Sequence, residues 1–228
     1  MDKNLNEKTE IQYNQHRLVD SWNLIEKYQT TSYQSAANYT EDTDTVYSFS
    51  SLNEFAQLWK HTSYANPSSL FFDLHRRRIR KIEFNNEGEL KTVDALYLFK
   101  NDIQPKWEDP ANSEGSSLIV ELKHIKAEQT DEIWKDIVFS LIGSTFPHCE
   151  NVNGIRLMDR QKKHELVKFE IWISIGLKKW KSGTSEYELI NNKIEDIIAH
   201  FHSLFNKTVP TSIHMISTKD HLVANKNK

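Results

Sequence analysis

Hydrophobic and polar positions along the chain follow two rhythms. A period of two marks strands: Leu18, Trp22 and Leu24 share one side of 18–25, and Thr45 to Ser50 continues in β-branched and aromatic residues. Residues 78–99 read as a hairpin, with alternation in Arg80-Ile82-Phe84 and a turn at Asn85-Asn86-Glu87-Gly88. Val93, Ala95, Tyr97 and Phe99 then share one face of the return strand. Leu118 to Leu122 and Thr211 to Ser217 predict two more strands. Val167, Phe169, Ile171, Ile173 and Ile175 alternate with Lys168, Glu170, Trp172 and Ser174, the mark of a strand with two unlike faces.

Helical spacing occurs three times. Ser51-Leu52-Asn53-Glu54 is a capping box, and Leu52, Phe55, Ala56 and Trp59 follow it, which predicts a helix over about 52–62. Thr130, Asp131 and Glu132 signal the start of a second helix, whose buried stripe is Ile133, Trp134, Ile137, Val138, Leu141 and Ile142. Ile190, Ile194, Ile197, Ile198, Phe201, Leu204 and Phe205 mark a third. Strands joined by hairpins and interrupted by three helices predict an α+β domain, an antiparallel sheet covered on one face and wet or ligand-binding on the other. The polar segments 1–15 and 218–228 read as flexible tails around a domain over 16–217.

Composition narrows the class. With 228 residues, 38% hydrophobic and 27% charged, the chain is expected to form one soluble domain. No apolar run approaches the roughly 18 residues of a membrane span, and Met1-Asp2-Lys3-Asn4 opens no secretory signal, so an intracellular protein without a membrane partner is expected. Cys149 is the single cysteine, which excludes an intrachain disulfide and Cys-x-x-Cys metal or redox motifs. No glycine-rich phosphate cradle occurs among 6 glycines, so phosphate must be held by side chains. The ten histidines show no metal or triad spacing, and no catalytic residue, metal or cofactor is assigned. The net charge of −3 hides a basic stretch over 151–183, eight Lys and Arg against three acids, able to face an anion. A denser cluster, His75 to Lys81, fits a solvated hairpin strand or an RNA-contacting or nuclear-import element.

Two long loops carry the chemistry. Gln29 to Asp44 is polar but contains Tyr33 and Tyr39. Asn101 to Pro110 places Trp107 between two prolines and beside Glu108 and Asp109, where no periodicity would bury it. It is either a plug folded onto the body or a stacking platform. An indole face attracts a planar cation, and a neighbouring carboxylate accepts two hydrogen bonds from the Watson–Crick edge of guanine. A positively charged, methylated guanine satisfies both.

These residues carry a resemblance. Trp107-Glu108-Asp109 after Leu98-Phe99-Lys100-Asn101, with Leu141 to Phe146, His16-x-Leu18-x-x-x-Trp22 and Ile171-Trp172, resembles the mRNA cap-binding family, eukaryotic translation initiation factor 4E, over about 16–217. The resemblance implies a curved antiparallel sheet with three helices on its convex face and a pocket for the 7-methylguanosine cap on the concave side. It implies that Trp107 and Tyr39, with Tyr33 as rival, sandwich the base, that Glu108 reads guanine, and that Trp172 lies near the methyl group. Arg160, Lys162 and Lys168 are the implied phosphate ligands. At Ser117 the family's usual basic residue is missing.

The resemblance also implies a helical face that grips a scaffold initiation factor or a repressor peptide, matched here by His16, Leu18, Leu52, Asp136 and Phe139. There the family's gripping tryptophan appears as Ala56, and an insertion at about 71–92 carries the arginine cluster. Trp59, one turn on, either fills part of that space or points into the core. The implied role is translation initiation or its regulation in the cytoplasm, with nuclear residence open. Competing readings are an enzyme hydrolysing the cap or a nucleotide through magnesium on Glu108 and Asp109, and a single-strand RNA binder indifferent to the cap.

Overall fold

The computed structural model describes residues 16–29, 43–73, 75, 81–82, 90–160, 166–209 and 216–220. Its strands are β1 (Arg17–Gln29), β2 (Thr43–Ser51), β3 (Lys81–Ile82), β4 (Leu90–Lys100), β5 (Ser116–Lys123), β6 (Val152–Asp159), β7 (Leu166–Ile173) and β8 (Ile216–Asp220). The helices are α1 (Leu52–His61), a single turn α2 (Ser68–Phe71), α3 (Ala127–Ile142) and α4 (Ser185–Asn206). The main strand order is β2-β1-β4-β6-β7-β5-β8, with β3 added to the start of β4, and every pairing is antiparallel. The expected α+β fold with three long helices is what forms. Lys81 pairs with Lys91 and Ile82 with Leu90, closing the hairpin read from alternation; its turn at 85–88 lies outside the described residues.

Period-two alternation sorts the strand residues onto two faces. Leu96 and Leu98 of β4, Ile155 and Leu157 of β6, Phe169 and Ile171 of β7 and Leu118 and Val120 of β5 pack beneath the helices. Phe55 and Leu58, Ile133, Trp134 and Ile137, and Ile197, Phe201 and Phe205 meet them from α1, α3 and α4. Each such buried side chain contributes roughly 1.5–3 kcal/mol through lost apolar surface. A second cluster forms on the opposite face from Ile25, Ala95, Tyr97, Phe99, Met158 and Trp172.

Caps fix the helix starts. Ser51 Oγ accepts from the Glu54 amide at 3.3 Å and Glu54 Oε2 accepts from the Ser51 amide at 3.0 Å, the capping box expected. The amide of Ser50, followed by the Ser51 hydroxyl, holds the Glu54 carboxyl below its ordinary range. The second long helix starts three residues earlier than Thr130 suggests. The Lys126 amide donates to Gln129 Oε1 at 3.2 Å, and the Thr130 hydroxyl bonds back to the Lys126 carbonyl at 3.1 Å from inside the first turn. Asp131 instead caps α2, accepting from the Ser68 amide and hydroxyl at 2.9 and 2.7 Å, while burial pushes its carboxyl up.

Candidate functional site

Trp107 and Trp172, two of the residues that the sequence singles out, meet at the aromatic cluster on the open face. On β7 the alternation sends Lys168, Glu170 and Trp172 to this face, opposite Met158, Arg156 and Gly154 of β6. Trp172 is buried, its ring edge-on to Phe99 at 5.6 Å. Gly154 makes that packing fit: a Cβ there would stand 2.5 Å from both the Leu98 carbonyl oxygen and the Phe99 ring.

Trp107 reaches this cluster from the loop that follows β4. It is half-buried, packs on the cluster beside Ile103, and stands 6.3 Å from Trp172, centroid to centroid, tilted by 48°. Hydrogen bonds hold the loop. The two carboxylate oxygens of Asp109 accept from the Gln104 and Ala111 amides, each at 2.9 Å. Asn112, fully buried, donates to the carbonyls of Gln104 at 2.8 Å and Lys106 at 2.9 Å, while Asn153 of β6 donates to Asn112 Oδ1 at 2.9 Å. Asp109 therefore shapes the loop, and Glu108 next to Trp107 is left exposed.

Beside this loop, a cavity of about 350 Å³ opens between Asn23 and Ile25 of β1, Thr43 and Thr45 of β2, and Gln104 and Lys106. Tyr33 and Tyr39 precede β2 and lie outside the described residues, as does Lys162. Arg160 follows β6 directly; its amide donates to the Leu166 carbonyl at 2.8 Å and its guanidinium touches Met158 Sδ at 3.7 Å. Ser117 is buried opposite Trp172. The cation beside Trp172 comes from Arg156 instead, whose guanidinium carbon lies 5.8 Å from the Trp172 ring and 5.9 Å from Tyr97.

Two residues of this site carry no role in the sequence reading. Arg156 and Glu170 face each other across β6 and β7 and form an ion pair, with Arg156 Nε 3.1 Å from Glu170 Oε2. Lys168 Nζ lies 3.3 Å from the same oxygen. Burial alone would push the Glu170 carboxyl up, but the charges of Arg156 and Lys168 outweigh it and hold the group below its ordinary range. The same parity of 168, 170 and 172 along one strand is the signal that could have found Glu170.

On the other side of the sheet, Phe139 of α3 is 46% and Leu52 of α1 49% exposed. Trp59 resolves neither wholly inward nor outward: it is half-buried, its ring 5.0 Å from Phe139 and 5.4 Å from Phe55. Ala56 and Asp136 are half-buried, and the His16 carbonyl accepts from the Leu52 amide at 2.7 Å, which fastens the start of β1 to α1 beside half-buried Leu18.

A family model described as Eukaryotic initiation factor 4E matches residues 17–226. The chain belongs to the initiation factor 4E family. It is 27% identical to eukaryotic translation initiation factor 4E1 of Drosophila melanogaster over 171 residues, 74% of this chain and 54% of that protein. It is 29% identical to eukaryotic translation initiation factor 4E-1 of Lactuca sativa over 175 residues, 73% of this chain and 63% of that one. The chain thus spans between half and two thirds of the length of these 4E relatives.

Solved 4E structures share the fold. Ascaris suum eIF4E-3, solved with an m7G cap, superposes with a TM-score of 0.61 at 21% identity, covering 90% of this chain and 91% of that one. The C. elegans eIF4E-3 complex with the 4E-binding protein Mextli gives 0.62 at 17% identity, covering 92% and 96%. As in these 4E proteins, a curved antiparallel sheet carries the helices on one side. Among the described residues no helix is long and apolar enough to cross a membrane.

Proposed function

We propose that this 4E-family protein binds the 7-methylguanosine cap of mRNA and acts, without catalysing a reaction, in translation initiation or its regulation in the cytoplasm. The observation that carries this reading is Trp107, held by a hydrogen-bonded loop over Trp172 with an exposed carboxylate, Glu108, beside it. A methylated guanine is a planar cation, so it gains by stacking on an indole, and the carboxylate accepts from its N1–H and N2–H. Tyr39 supplies the opposite stacking face and Trp172 the contact near the methyl group. Arg160, Lys162 and Lys168 neutralise the phosphates. The Arg160 guanidinium lies against Met158, whose strand partner is Lys168, and that nearness supports the assignment.

The helical side offers Leu52, Ala56, Asp136 and Phe139, flanked by His16 and Leu18, as the surface for a scaffold initiation factor or repressor peptide. The reading draws support from the Mextli complex of the C. elegans protein. A hydrolytic role through Glu108 and Asp109 is disfavoured because both oxygens of Asp109 already bind loop amides.

Titration with 7-methyl-GTP, read by quenching of tryptophan fluorescence in wild type and Trp107→Ala, tests the proposal. Saturable quenching in wild type that is lost in the variant is expected. Equal affinity for an uncapped oligonucleotide and 7-methyl-GTP would favour the cap-indifferent RNA reading instead.

A further inference from the structure

Glu170 is a charge placed where an anion-binding site would not be expected to carry one. It is 1% exposed, yet it sits on the open face of β7, two residues from Trp172 and two from Lys168. One oxygen, Oε2, receives both the Arg156 guanidinium and the Lys168 ammonium, the latter at 3.3 Å. The side chain of Lys168 is only 19% exposed, so its ammonium is turned toward the carboxylate rather than extended into solvent. Arg156 is clamped between the same carboxylate and the rings of Tyr97 and Trp172. Two cations and one anion thus share a buried spot, and a buried, doubly paired carboxylate is released only at high cost.

We infer that Glu170 is a built-in counter-ion that competes with the cap's phosphates for Lys168, so that Arg160 carries more of the phosphate recognition and the triphosphate adds less to affinity than two free cations would provide. This rests on the cap-binding reading above. A phosphate approaching Lys168 meets the attraction of the ammonium and, a few ångströms behind it, the repulsion of the carboxylate. Arg156 neutralises part of that repulsion, so the main cost is drawing the Lys168 ammonium away from Glu170 Oε2, to which it is already paired at 3.3 Å. The effect is specific to charge on the phosphates, because stacking of the base on Trp107 does not involve Lys168.

The test is the ratio of affinities for 7-methyl-GTP and 7-methylguanosine, measured calorimetrically on wild type, Lys168→Met, Glu170→Gln and the combination of the two. Glu170→Gln is expected to raise the ratio about three- to tenfold, from the Lys168 ammonium released to the phosphates. Adding Lys168→Met should reverse that gain, and Lys168→Met alone should move the ratio less than it does in the Glu170→Gln background. Because Glu170→Gln leaves Arg156 buried without its carboxylate, Arg156→Met with Glu170→Gln provides a second measurement, in which the ratio should also rise. A ratio unchanged or lowered in folded forms of both Glu170 variants overturns the inference while leaving cap binding intact. Wild type that fails to prefer 7-methyl-GTP over GTP overturns the cap reading and this inference with it.

Discussion

The indole of Trp107 stands over that of Trp172 at 6.3 Å, a loop residue resting on a strand residue. Half-buried Trp107 is the replaceable partner, and fully buried Trp172 the supporting one. Trp107→Ala should therefore reduce affinity for 7-methyl-GTP about 5- to 150-fold, the worth of roughly 1–3 kcal/mol of stacking, with little change in melting temperature. Trp172→Ala should lower stability by about 3–5 kcal/mol as well as binding. Thermal melts of both variants beside the titrations separate the two outcomes, and an unfolded Trp107→Ala would show that this indole is a core plug.

Replacing the Glu108 carboxylate by an amide trades one of two acceptors for a donor. Glu108→Gln should lose about 1–3 kcal/mol of preference for a guanine cap over an adenine one, because one guanine donor covered on stacking would be left without its acceptor. Competition of the two methylated nucleotides checks it, and unchanged preference removes Glu108 from the site.

Much of this arrangement was legible in the chain itself. Ser51 and Glu54 announced α1, and the alternation at 167–173 announced a two-faced strand, because capping and period-two burial are local properties. Trp107 stood out as an aromatic in a segment with no period to bury it. The start of α3 differs because Thr130 matches a capping residue by type, while the helix is capped at Lys126, whose amide the Gln129 side chain satisfies from N3. The Arg156–Glu170 pair stayed hidden for a different reason. Its partners lie 14 residues apart and meet only through the register of β6 on β7, which no local pattern specifies.

That pair gives the protein an acid-sensitive element. Glu170 has a folded-state value held below its ordinary 4.5 by Arg156 and Lys168 against the opposing effect of burial. A depressed carboxylate contributes stability fully above the unfolded-state value and loses it as pH falls through the folded one. Glu170→Gln should therefore destabilise the protein at pH 7, and its deficit relative to wild type should narrow as pH drops below about 4. Denaturant midpoints between pH 7 and pH 3 check this; a deficit independent of pH would mean the pair acts through shape alone.

On the helical side, Ala56 offers little area where relatives are expected to grip a peptide, and Trp59 leans onto Phe139 at 5.0 Å. A scaffold or repressor peptide of the kind that the resemblance implies should bind weakly. Ala56→Trp should strengthen it by about 2 kcal/mol, the typical worth of a hot-spot tryptophan. Calorimetric titration decides; tight binding to wild type that Ala56→Trp leaves unchanged would show that Leu52, Asp136 and Phe139 suffice.

Recognition of the methylated guanine rests on Trp107 and Glu108. Competition of 7-methyl-GTP against GTP for the wild-type protein tests it most directly, since the two differ only in the methyl group and the positive charge it brings to the base. Preference for the methylated nucleotide by a factor of about ten or more is expected from the cation–π gain at a desolvated site; equal affinity for the two would contradict it.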